Sequence, residues 1–506
     1  MRVCILGGGT AGWMTAVAIS KKLKSSYKSI VLVESETIGT VGVGEATLPH
    51  IRFFNDNLDI QESAFMRATE ATFKLGIEFC DWGKVGQSYI HPFGDFGKAS
   101  TKASFYQQWL KLSNYGANDS CGGLGEYAYG IASASRNRFQ MPSEGKSDLQ
   151  KAFGYAYQFD SSLYAKFLRD LSVKNGVQRI EGKVVTTDTD EKSGNVNSIT
   201  LESGQCVEAD LFIDCSGFRG VLIEQALKSG YQDWSRWLPC NRAVAVPCEN
   251  RGELNPFTRA TARKAGWQWR IPLQHRTGNG HVYWNEFISD DEAISQLMDN
   301  LDGPALAEPK QLFFKTGRRN HFWKNNVVAI GLSAGFLEPL ESTSIHLIQE
   351  GITNLIELFP VDGNTALDAQ EYNQRMSLQY ERVRDFLLLH YVANERNDSE
   401  MWRYFRSMTL PDSLQEKMDL WLRRGYIQKY EFGAFLPASW VAVMLGQNMI
   451  PSNYDPRVDK MNIEELTAHA VHMRNDIAMS VNAAKSHKEF IDSIGAASHS
   501  KPLRVG

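Results

Sequence analysis

Six residues near the start of the chain, Gly7-Gly8-Gly9-Thr10-Ala11-Gly12, have the types and the spacing to hold a pyrophosphate. In a G-x-G-x-x-G run the glycines permit a tight turn. They also let backbone amides and a helix N-terminus approach an anion. Glu34 closes the next apolar run, about 20 residues on, where an acid accepts hydrogen bonds from a ribose. A glycine-rich turn on its own would mean little. Here it follows the apolar run Arg2–Leu6, opens a helical pattern over 13–24 and is followed by a second strand pattern over 29–33. That βαβ order predicts a parallel sheet, an α/β fold and a bound dinucleotide.

Later segments point to FAD rather than NAD. Alternating stretches at 178–187, 196–201 and 206–209, separated by Ser193-Gly194-Asn195 and Ser203-Gly204, lead into an apolar strand over 211–214. That strand runs into Asp214-Cys215-Ser216-Gly217, an arrangement typical of FAD proteins and not needed by nicotinamide domains. Another apolar strand, 327–330, opens into Gly331-Leu332-Ser333-Ala334-Gly335. The spacing predicts helix over 51–79 and 161–174, and mostly helix after Tyr372. The aromatic, glycine-rich stretch 82–129 has no readable period.

The bulk properties bound the remaining classes. At 506 residues, 43% hydrophobic and 22% charged, the chain can bury a large core and reads as two packed modules. A formal net charge of −4 gives no reason to expect nucleic acid or an anionic membrane as partner. Seven scattered cysteines without a C-x-x-C pair argue against a disulfide framework and a zinc ribbon. No metal is expected. The first apolar run stops at Gly7, too soon for a signal-peptide core, and no stretch has the roughly 18 apolar residues of a membrane span. The expected location is the cytoplasm.

Five co-linear motifs then make a specific resemblance. Gly-Gly-Gly-Thr-Ala-Gly-Trp-Met at 7–14, Gly42-Val43-Gly44-Glu45-Ala46-Thr47, Phe73-Lys74-Leu75-Gly76, Trp267-Gln268-Trp269-Arg270-Ile271-Pro272 and Pro339-Leu340-Glu341-Ser342-Thr343 stand in that order. Together the chain resembles the flavin-dependent tryptophan halogenases, whose signature is Trp-x-Trp-x-Ile-Pro. The resemblance implies an FAD and halide module of the aromatic-hydroxylase type (1–110 with 160–360) and a mainly helical substrate module (111–159 with 361–506). It also implies flavin contacts from Gly7, Gly9, Thr10, Ala11, Gly12, Glu34, Glu45, Ala46, Val184, Leu332 and Ile345.

Lys74, read alone, is a solvated surface cation in a helix. The resemblance makes it the essential lysine that holds hypohalous acid, or is halogenated by it, and aims the halogen at one ring carbon. Glu341, otherwise an acid at a helix start, becomes the carboxylate that handles the ring proton. The amides of Thr343 and Ser344 are implied to bind chloride or bromide at a helix N-terminus. Ser344 stands where the family has glycine. The amide is kept, but the size of the site and its choice of halide are open.

Trp267 and Trp269 could be core aromatics; the resemblance places them along the passage from flavin to substrate, as a bar to direct oxygenation. His91-Pro92-Phe93 matches a block whose His and Phe sandwich an indole, against the plainer reading of a turn with a buried ring. Glu431 and Phe435 match residues that hold tryptophan's amine and ring. Leu436 falls where a stacking Trp is usual, and Ser439-Trp440-Val441 replaces a polar, Tyr-rich stretch. An indole, a substituted indole or a larger indole-bearing molecule is therefore expected rather than free tryptophan.

The implied reaction takes FADH2 from a separate flavin reductase, with oxygen and halide as co-substrates. A homodimer is suggested by the family's habit. Two rivals stay open at this level: an FAD monooxygenase that hydroxylates its substrate, and an FAD-binding carrier that has lost catalysis.

Overall fold

Val3, Cys4 and Ile5 are at most 1% exposed, because Arg2–Leu6 is the inner strand of a sheet covered on both faces. The computed structural model describes residues 1–38, 44–99, 102–144, 147–362, 365–430 and 432–498. Arg2–Leu6 pairs in parallel with Ser29–Glu34 on one side and Leu211–Asp214 on the other. Gln178–Glu181 and Val327–Ala329 extend the sheet in parallel, and Trp323–Lys324 closes it as an antiparallel edge. The helix Thr10–Lys22 crosses back over this sheet and packs on Ser161–Lys174 and Ser344–Glu357. Strands Val184–Thr189, Val196–Leu201 and Cys206–Glu208 form a separate antiparallel sheet.

These elements belong to one of two units, made of Met1–Ala71, Phe159–Arg242 and Leu312–Arg384. The other comprises Thr72–Gln158, Ala243–Gln311 and Asp385–Gly506. Its large sheet orders the strands Arg242–Cys248, Thr277–Tyr283, Gly266–Pro272, Thr258–Arg263, Gly76–Cys80 and Ser88–Pro92. Gly76–Cys80 pairs in parallel with Thr258–Arg263, the hairpin partner of the strand carrying Trp267 and Trp269. The modules expected from sequence are cut differently: residues 72–110 and 243–311 fall in the second unit and 361–384 in the first. The strand Ser88–Pro92 packs on the helix Pro437–Gly446, which ties the Lys74 segment to the later part of the chain, and the parallel pairing carries the Trp-x-Trp strand with it.

The helix predicted over 51–79 is corrected as well. It is two short helices, His50–Asn57 and Glu62–Thr69, followed by the strands Thr72–Lys74 and Gly76–Cys80. Glu70 turns left-handed, with φ 56, and ends the second helix. Beyond it Phe73, Leu75, Ile77 and Phe79 recur every second residue, a strand period hidden beside a helical one. The unread stretch 82–129 holds the strand Ser88–Pro92 and the helix Phe105–Asn114.

All seven cysteines are free. Among the described residues, no helix is long and apolar enough to cross a membrane, and no group of three or more His, Cys, Asp and Glu side chains could hold a metal.

The first turn tolerates no side chain at its crossing point. A Cβ on Gly12 would lie 1.8 Å from the Gly7 carbonyl oxygen. Gly12→Ala is expected to cost about 3 kcal/mol by forcing backbone apart, seen as a lowered midpoint in denaturant unfolding.

Candidate active site

In the first unit, Gly7 to Ala11 sit half-exposed above the buried strand end. Gly7 takes φ +117, and a Cβ there would meet the Cys215 carbonyl oxygen at 2.2 Å. Gly9 is the N-cap of the helix Thr10–Lys22, in extended conformation and with no side-chain cap. The first amides of that helix are therefore open to an anion, with the helix dipole behind them. Leu332 lies in the turn Gly331–Ser333, which comes against the same loop: a Cβ on Gly331 would be 2.8 Å from the Ala11 Cβ. Asp214 is spent on structure, its carboxylate accepting from the amides of Ser216, Leu222 and Ile223 at 2.8–2.9 Å. An uncapped helix start, a turn closed to side chains and an acid at the strand end fit the pyrophosphate and ribose of a dinucleotide.

Glu34 ends the second strand and is held by Arg179 and Trp13. Glu45 and Ala46 form the short strand Gly44–Ala46; desolvation pushes the Glu45 carboxyl up to about 7. Gly42 and Val43, which precede them in the motif, lie outside the described residues. Val184 opens the separate antiparallel sheet, opposite Leu201, rather than the glycine loop.

Glu341 is fully buried at the end of the turn Pro339–Glu341. Ser342 then adopts φ 58, left-handed backbone that costs a serine about 1 kcal/mol or more. The strained residue turns the chain into the helix Ser344–Glu357, which starts at Thr343 with no side-chain cap. The Thr343 hydroxyl is buried and has no hydrogen-bond partner among the described residues. Ser344 is half-buried and Ile345 buried at the same helix start. Free amides and an unused hydroxyl on one turn are donors waiting for an acceptor.

In the second unit, alternation on one short strand fixes Lys74. Phe73 stacks on Phe139 at 4.1 Å and meets Tyr155 and Phe490 edge-on. Its amide donates to His487 Nε2 at 3.1 Å, while His487 Nδ1 donates to the Leu254 carbonyl at 2.7 Å. Thr72 Oγ1 donates to the Pro272 carbonyl at 2.7 Å and accepts from Gln158. With its neighbours so held, Lys74 projects the other way. It is 0% exposed, and its Nζ lies 5.2 Å from the centre of the Phe93 ring. This is the reverse of a solvated surface cation on a helix.

Leu75 joins the two segments, donating to the Pro256 carbonyl and accepting from the Phe93 amide. His91, fully buried, lies 6.2 Å from Phe93, 6.1 Å from Phe435 and 5.6 Å from Phe386. Phe386 stacks on Phe435 at 3.9 Å and meets Trp440 edge-on at 4.9 Å. The structure thus brings Lys74, Phe93, His91 and Phe435 into one aromatic group. Glu431 lies outside the described residues. Phe386 was not read from sequence: it sits mid-helix in Ala366–Val392 among other apolar residues, and no spacing singles it out.

Trp267 and Trp269 lie on one face of their strand, 6.1 Å apart, with Gln268 turned away to bond Arg263 and the Gln296 carbonyl. Trp267 joins Trp82, and Trp269 lies over Gly280, where a Cβ would clash at 2.0 Å. Both are packed aromatics within the second unit.

Comparison with known proteins completes the assignment. Residues 2–463 match the family model for tryptophan halogenase. The tryptophan 6-halogenase SttH of Streptomyces toxytricini is 36% identical, over 98% of both chains. The tryptophan 7-halogenase RebH of Lentzea aerocolonigenes is 32% identical, over 91% of this chain and 92% of its own. Among solved structures, BrvH, a flavin-dependent halogenase from a Brevundimonas species, superposes with a TM-score of 0.93 at 44% identity, covering 97% of this chain and 99% of that one. A flavin-dependent halogenase from Xanthomonas campestris gives 0.94 at 43%, over 99% of both. The fold and site define a flavin-dependent oxidoreductase. The chain belongs to the tryptophan halogenase family and is a flavin-dependent halogenase.

Burial pulls His487, which holds the Lys74 strand, down to about 4. The folded ring stays neutral, whereas the unfolded chain takes up that proton below about 6.5. Stability from this group is whole above about 6.5 and drains as pH falls toward 4. Between pH 7 and 5 the native protein is expected to lose about 2 kcal/mol more than His487→Gln in denaturant unfolding.

Proposed function

We propose that the chain receives FAD in reduced form from a separate reductase and uses oxygen with chloride or bromide to halogenate an indole-type ring. When bound, the flavin supplies the oxidising chemistry that turns halide into an electrophilic halogen. The observation that carries the reading is Lys74, wholly buried beside Phe93 and joined to His91 and Phe435.

Each residue has a role that its surroundings support. The amides at Thr343 and Ser344, with the Thr343 hydroxyl, hold the halide. Lys74, held by its strand, presents the electrophile to one ring carbon, so orientation is its contribution. Glu341 takes the ring proton as aromaticity returns, a task suited to a buried carboxylate. His91, Phe93 and Phe435 hold the faces of the indole, while Trp267 and Trp269 keep the ring from direct oxygenation.

Two features favour an indole or indole-bearing molecule over free tryptophan. Leu436 is 61% exposed where a stacking Trp is usual, so it offers no clamp. Phe386 and Trp440 add apolar surface next to Phe435 where an amino acid's charged end would need polar partners.

The test is mass spectrometry of product from enzyme, FAD, a flavin reductase, NADH, oxygen and mixed halides, with indole and tryptophan in parallel. A halogen isotope pattern on indole is expected, reduced at least about 100-fold in Lys74→Ala with FAD affinity unchanged. Full activity in that variant, or a product heavier by one oxygen, overturns the reading. In the same assay Ser344→Gly is expected to change the ratio of chlorinated to brominated product, because it alters the volume beside the halide amides.

A further inference from the structure

Trp13, the residue after the glycine turn, is 1% exposed on the helix Thr10–Lys22, and its buried indole N–H needs a partner. Its Nε1 donates to Glu34 Oε2 at 3.4 Å. Arg179 Nε donates to the other oxygen, Oε1, at 2.5 Å from the adjacent strand Gln178–Glu181. The carboxylate is pressed against the turn itself: a Cβ on Gly8 would lie 1.5 Å from Glu34 Oε2. Arg179 is fixed in turn by Glu36 at 2.9 Å and Glu181 at 2.8 Å, and the Glu36 amide donates to Glu181 at 2.9 Å.

We propose that Trp13 and Arg179 are positioning residues for the adenosine end of FAD, acting through Glu34. This rests on the reading of Glu34 as the ribose acid. Each donor occupies one carboxylate oxygen and leaves it a second lone pair, so the group is locked in rotation with its remaining acceptor sites unspent. A ribose hydroxyl then meets an acceptor that loses no rotamer freedom on binding. The same arrangement sets a limit on the ligand. Three carboxylates surround one guanidinium, leaving the rim acidic, so a phosphate on that ribose would be repelled and an unphosphorylated ribose accepted.

The alternative is that Arg179 merely staples two strands together. The two are separated by comparing the affinity of FAD with that of its 2′-deoxyadenosine analogue, by flavin fluorescence titration. The native protein is expected to prefer FAD by about tenfold, the worth of a hydrogen bond to a charged acceptor. In Trp13→Phe and Arg179→Gln the preference should fall to within about threefold, because a loosened carboxylate no longer discriminates. A staple would weaken both ligands equally and leave the tenfold preference in place, which would overturn the proposal. Glu34→Gln separates this failure from that of its premise. If Glu34→Gln keeps the native preference, Glu34 does not read the ribose and the proposal falls with it. If Glu34→Gln loses the preference while Trp13→Phe and Arg179→Gln keep it, the premise stands and the positioning role alone is lost. Trp13→Phe retains the buried ring, so the comparison does not depend on a variant that fails to fold.

Discussion

A lysine with no exposure is the constraint on which the second unit depends. An ammonium taken out of water is costly unless charge, dipole or a π-face compensates it. The residues on either side of Lys74 are firmly held. Phe73 is wedged among Phe139, Tyr155 and Phe490, and Thr72 is tied to Pro272 and Gln158. The strand's alternation does the rest by sending Lys74 to the opposite side, over the ring of Phe93. The neighbouring strand delivers His91, and a helix delivers Phe386 against Phe435. The aromatic group is thus the surrounding that makes the buried lysine tolerable as well as a surface that suits an indole.

The first unit follows a different logic, built on donors left unused. Both helices that begin at a proposed ligand position start without a side-chain cap, at Gly9 and at Thr343. Some other helices carry side-chain caps, among them Ser161–Lys174 with Asp160 and Asp290–Met298 with Ser289, while others such as Phe105–Asn114 and Asp412–Arg424 start without one. The left-handed Ser342 belongs to the same logic, since its strain turns the open helix start toward the buried Glu341 segment.

Much of this was legible in the chain because the signals were local. The strand Arg2–Leu6, the helix Ser161–Lys174 and the strand Leu211–Asp214 fall where their apolar spacing puts them. The motifs single out Lys74, Glu341 and the Trp pair as candidates through the family resemblance. What failed to show was non-local. The strand Thr72–Lys74 was read as helix because its partner lies some eighty residues away, at 156–158. The parallel pairing of Gly76–Cys80 with Thr258–Arg263 leaves no mark in either segment. Phe386 and Arg179 are ordinary residues in ordinary elements, and only their neighbours in space distinguish them.

On the proposed reading, the uncapped helix starts tie the protein's stability to its supply of flavin and halide. Whatever occupies those amides binds the folded chain and not the unfolded one, so its concentration adds directly to stability. The Thr343 hydroxyl and both ring nitrogens of buried His346 also have no hydrogen-bond partner among the described residues. Starved of flavin, such an enzyme would open more often at these two helix ends and offer them to proteases. Its abundance in a cell would then follow the flavin economy without any dedicated regulator.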